Sequence, residues 1–89
     1  MKYECHITVS VNDSEKATVV AKELHWKTSE IARDPVLGND TYFYLTTHSN
    51  EYEQMWERLI KARTMLEGFN VLVIREKIEQ IIYDTKVKV

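Results

Sequence analysis

Along this chain the spacing of apolar residues switches from every second position to every third or fourth and back, twice. Tyr3, Cys5, Ile7, Val9 and Val11 alternate with Glu4, His6, Thr8 and Ser10, the period of a strand buried on one side. In "NDSEKATVVAKELHW", Ala17, Val20, Ala21 and Leu24 form one helical stripe, and Asn12 with Glu15 has the spacing of a capping box. "WKTSEIAR" predicts a short strand, "DPVLGND" a turn and "TYFYLTTH" a strand rich in aromatic and β-branched residues. A second stripe follows, Met55, Leu59, Ala62 and Leu66, widened by Trp56 and Ile60. Asn50 and Glu53 repeat the capping-box spacing, and Gly68 stands where a helix end favours a left-handed residue. "NVLVIREKI" predicts the last strand. "EQIIYDTKVKV" suits an extended strand, a helix or an arm exchanged with another chain, the extended form being expected.

The order β-α-β-β-α-β is that of an α+β two-layer sandwich resembling the ferredoxin-like class, with residues 1–89 as one small domain and an extended C-terminal tail. Two right-handed crossovers put both helices on one face of an antiparallel sheet. The strand order expected is 4-1-3-2, so the first strand lies between the third and the last.

Bulk properties narrow the function. The formal charge of −2 lacks the basic excess of a nucleic-acid binder, so nucleic acid is an unexpected partner. One cysteine, on the apolar side of its strand, suits a reducing compartment and a cytoplasmic location. No apolar run approaches a membrane span, and "MKYECH" has no signal-peptide character. Three histidines and one cysteine show no compact metal spacing, and no cofactor motif is present.

The polar side of the sheet is the feature that calls for a function. If Cys5 and Ile7 face the helices, His6 and Thr8 face away. In the third strand Phe43, Leu45 and Thr47 would point inward and Tyr42, Tyr44, Thr46 and His48 outward. In the last, Leu72, Ile74 and Ile78 are expected inward, with Val71, Val73, Arg75, Lys77 and Glu79 outward. The second strand adds Lys27 and Ser29. His6, Thr8, Lys27, Tyr44, Thr46, His48, Arg75 and Lys77 are therefore the candidate ligand-binding residues. A guanidinium fork, ammonium groups, hydroxyls and imidazoles suit an anionic small molecule, a phosphorylated or nucleotide-like one above all. A homodimer is also expected, and a protein interface on the same sheet face, anchored by Tyr42, Tyr44 and Val73, is a rival use of these residues.

"HITV", residues 6 to 9, resembles the His-hydrophobic-Thr-hydrophobic signature of the two-histidine phosphoesterases, the RNA ligase-like group. That resemblance implies His6 as a proton-transfer residue and Thr8 as a phosphate anchor, in metal-independent phosphodiester hydrolysis. The family uses two such motifs in a chain about twice as long. Here no second His-x-Thr or His-x-Ser occurs, and "TTHSN" presents Thr46 and His48 in reversed order. An enzyme of this kind would use His6 and His48 as catalytic acid and base; whether the chain is an enzyme stays open at this point.

Overall fold

The computed structural model describes residues 1–31 and 41–82. The expected turn at 34–40 and the end of the tail, 83–89, lie outside the described residues. The described elements are β1 (Lys2–Ser10), α1 (Ser14–Leu24), β2 (Lys27–Ile31), β3 (Tyr42–Ser49), α2 (Tyr52–Gly68) and β4 (Val73–Ile81). The four strands form one antiparallel sheet in the order β2-β3-β1-β4, so β1 is central and flanked by β3 and β4.

The sheet register sorts the side chains. Cys5 pairs with Thr47, Ile7 with Leu45 and Val9 with Phe43. These residues are buried on the side covered by Ala17, Val20 and Ala21 of α1 and by Met55, Leu59, Ala62 and Leu66 of α2. Each large aliphatic side chain removed from water there stabilises the fold by roughly 1.5–3 kcal/mol. Trp26 joins that core, whereas Trp56 and Ile60, expected to widen the α2 stripe, are exposed.

The helix ends depart from the expected chemistry. Asn12 and Glu15 form no capping box: the chain makes a 3-10 turn over Val11–Asp13, in which Ser10 Oγ accepts from the Asn12 N–H at 3.2 Å. The residue preceding α1, Asp13, makes no side-chain cap. Asn50 and Glu53 likewise do not cap α2. Ser49 takes that role one step earlier, accepting from the Glu51 N–H at 3.1 Å and donating to Gln54 Oε1 at 2.5 Å. At the other end Gly68 is still helical. The left-handed residue is Asn70 (φ 60°), with the Val71 N–H donating to Leu66 O and the Asn70 N–H to Glu67 O, both at 2.9 Å. That double bond pattern is a Schellman closure, and it drops Val71 into the core. His25 (φ 62°) plays the same part after α1, bringing Trp26 inward.

The largest departure lies in β4. Lys2 to Thr8 pair in uninterrupted register from Ile81 to Arg75, but Val9 pairs with Val73, so Ile74 is an extra residue in a β-bulge. The bulge reverses the alternation on its N-terminal side. Val71 and Val73 pack on the core, and Leu72 and Ile74, expected inward, are 75% and 38% exposed. Beyond the bulge Ile78 faces in as expected, together with Glu76. Arg63 of α2 grips Glu76 with both arms of its guanidinium, Nε to Oε1 at 2.5 Å and Nη2 to Oε2 at 2.6 Å, which ties the helix to the edge strand.

Candidate functional site on the uncovered sheet face

Because β1 lies between β3 and β4, the pairing register lays the outward residues in rows across the sheet. One row reads Ser29, Tyr44, Thr8, Arg75, and the next reads Lys27, Thr46, His6, Lys77. A third holds His48 and Glu79 on either side of Glu4. With strands about 4.8 Å apart, a four-residue row spans about 14 Å. These side chains project from the face that neither helix covers.

A hollow of about 190 Å³ sits over the first two rows, lined by His6, Thr8, Ser29, Ile31, Tyr44, Thr46, Arg75, Lys77 and Glu79. Of the eight residues expected in a site, six line it together: His6, Thr8, Tyr44, Thr46, Arg75 and Lys77. Lys27 and His48 do not line it. Lys27 is on the same face opposite Thr46 but exposed, and His48 turns toward Glu4. Thr8 and Tyr44 are only 2% and 7% exposed and make the floor. Ile31 supplies an apolar wall.

The polar groups form a directed network. His48 Nε2 donates to Glu4 Oε2 at 2.8 Å, and His6 Nε2 contacts the other carboxylate oxygen, Oε1. An ionised carboxylate only accepts, so each of these nitrogens carries a hydrogen. In neutral His6 that leaves Nδ1 as an acceptor, and Thr46 Oγ1, 2.9 Å away, must donate to it. Glu4 thus fixes the tautomer of His6, and His6 fixes the hydroxyl of Thr46. On the other side, Glu79 Oε1 lies 2.9 Å from Lys77 Nζ and 3.9 Å from His6 Nε2.

Burial works to raise the Glu4 carboxyl. The hydrogen bond from His48 and the positive potential of both imidazoles outweigh it, so Glu4 titrates below its ordinary 4.5. Arg75, which lines the hollow, has no ion-pair or hydrogen-bond partner among the described residues; Glu79, the carboxylate in the same lining, pairs with Lys77. Directly beside Arg75, across the strand pairing, is Thr8.

Sequence reasoning passed over Glu4, Glu79 and Ile31 as site residues. Glu4 was accessible by parity, since it alternates with His6 on the same face. Its importance depends on the cross-strand position of His48, which only the register reveals. Among the described residues no group of three or more His, Cys, Asp or Glu side chains could hold a metal ion, and no helix is long and apolar enough to cross a membrane.

No known protein-family model matches this chain, and no curated protein is detectably similar to it.

Proposed function

We propose that this chain is a small binding domain that holds a phosphorylated or otherwise anionic small molecule on the uncovered face of its sheet. The reading rests on one observation: three strands bring Arg75, Lys77, His6, Thr46 and Thr8 around one hollow, and the Arg75 guanidinium there has no partner among the described residues. A planar fork of donors suits a tetrahedral oxyanion, and a threonine hydroxyl beside it adapts to a second oxygen. At about 190 Å³ the hollow is below the roughly 300–1,000 Å³ of sites that enclose whole drug-sized ligands. It suits the anionic group itself, with the rest of a nucleotide-like ligand lying over Tyr44 and Ile31.

Isothermal titration with inorganic phosphate and with nucleoside and sugar monophosphates tests the proposal. Saturable binding that weakens at least tenfold in Arg75→Ala, with the fold intact, is expected. Absence of binding across the panel, or binding indifferent to Arg75→Ala and His6→Ala, overturns it.

The hydrolase reading, with His6 and His48 as acid and base, is less well supported by the same geometry. Both Nε2 atoms are committed to Glu4, His6 Nδ1 is committed to Thr46, and His48 is not in the hollow. These contacts suit imidazoles that orient and tune a site better than a pair poised to move protons on a substrate. The architecture fits the ferredoxin-like class: the element succession is β-α-β-β-α-β, and the strand order is 4-1-3-2 when read from the β4 edge. The buried lone thiol supports a reducing, cytoplasmic setting.

A further inference from the structure

The outer edge of β4 carries a self-complementary charge pattern, and two of its members, Lys77 and Glu79, also line the hollow. Among the described residues β4 pairs only with β1, and its other edge offers unpaired backbone groups from Arg75 to Ile81. Exposed strand edges are templates for another strand unless their side chains forbid it. Here they select a partner. Lining the strand up antiparallel with a copy of itself, with Ile78 on the two-fold axis, sets Lys77 against the copy's Glu79 and Glu79 against the copy's Lys77. The same register sets Ile78 on Ile78, Ile74 against Ile82 and Glu76 against Gln80. No like charges oppose one another. Centring the pair on Lys77 puts Lys77 opposite itself, and centring it on Glu76 puts Glu76 opposite itself and Arg75 opposite Lys77. Both alternatives carry a charge clash that the first register avoids.

The flank of the strand points the same way. Two hollows, of about 450 and 280 Å³, run along β4, one lined by Val71 to Ile74 together with the charged Arg63, Glu67, Arg75 and Glu76, the other by Tyr52, Trp56, Leu59 and Ile78 together with Glu76 and Lys77. Trp56 is exposed at the end of an aromatic run, its ring 6.2 Å from Tyr52, which in turn lies 5.4 Å from Tyr3. Ile82, 85% exposed, ends just past the strand. An unpaired edge whose charges match in this self-pairing, with exposed Trp56, Leu72 and Ile82 beside it, fits a second copy of this chain.

We infer that the chain forms a two-fold dimer by antiparallel β4–β4 pairing centred on Ile78, extending the four-stranded sheet to eight strands. The uncovered sheet face stays open in this dimer, and the candidate binding hollow of each protomer lies on it, with Lys77 and Glu79 of each at the seam. The dimer does not depend on the ligand reading.

Sedimentation equilibrium on the full chain over a wide concentration range tests it, with circular dichroism to check the fold of each variant. The wild type is expected to be dimeric. Lys77→Glu and Glu79→Lys each place like charges opposite one another twice and should weaken association roughly tenfold or more. The double variant restores both pairs and should regain the dimer. An equimolar mixture of the two single variants should also associate, because each supplies the charge the other lacks. A monomeric wild type, or a dimer whose mass is indifferent to these exchanges, overturns the proposal. So does a double variant that associates no better than the singles.

Discussion

Thr8 pairs with Arg75 across the β1–β4 ladder, whereas its neighbour Val9 pairs with Val73. The skipped residue, Ile74, does two things at once. It lets Val73 and Val71 fill the core at the N-terminal side of β4, and it delivers Arg75 to the uncovered face beside Thr8. Without the bulge, the valines and the arginine would share one side of the sheet.

Aspartate substitutions on either side of the bulge distinguish this register from simple alternation. Val73→Asp buries a charge against the core and should destabilise by about 2–4 kcal/mol. Leu72→Asp, at an exposed position, should stay within about 0.5 kcal/mol. Urea unfolding of the two proteins gives the comparison, and the opposite ranking would restore the uninterrupted pattern.

Leu59 and Trp56 provide the same contrast on α2. Leu59 is buried in the hydrophobic core, so Leu59→Ala should cost about 2–5 kcal/mol. Trp56→Ala, measured at a concentration where the chain is monomeric, should cost about 1 kcal/mol or less. Chemical denaturation reads both.

The bridge between Glu4 and the two histidines makes stability depend on pH in a definite direction. The folded carboxyl titrates below 4.5, so its contribution is complete above that value and disappears as the pH falls through the lower folded value. Glu4→Gln should therefore be less stable than wild type by about 1 kcal/mol near neutrality. The gap should close in acid, below about pH 4.5. Denaturant midpoints of the two proteins across the acid range measure it; a gap that widens toward low pH has the wrong sign.

Cys5 is fully buried in the centre of the sheet, and burial, aided by the negative Glu76, pushes its thiol up to about 12. Only the thiolate reacts readily with disulfide reagents. Labelling at neutral pH should proceed at the rate of unfolding and accelerate with urea in step with it. Labelling of the native protein as fast as a free thiol would contradict the packing of β1.

Much of this architecture was legible in the chain. The alternation of β1 and β3 correctly separates Ile7, Val9, Phe43 and Leu45 from His6, Thr8, Tyr44 and Thr46, because a half-buried strand leaves little freedom of register. β4 was legible only beyond its bulge. "NVLVI" is apolar at every position, so it carries no phase, and the phase is set by how many residues the Schellman closure and the bulge consume. The capping residues are ambiguous in the sequence for a related reason. Several Asn, Asp and Ser side chains near each helix start can cap, and Ser10 and Ser49 win because the strands deliver them to the turn. In the site, the cationic and hydroxyl members follow from parity. The carboxylates that order them, Glu4 and Glu79, look on sequence like ordinary charges of an exposed strand.

The most direct measurement of the binding claim is a titration of the isotopically labelled protein with inorganic phosphate, followed residue by residue in backbone amide NMR spectra. Saturable shifts should concentrate at Thr8, Tyr44, Thr46, Arg75 and Lys77, with the α1 and α2 amides unmoved. No shifts, or shifts confined to residues outside this cluster, would contradict it.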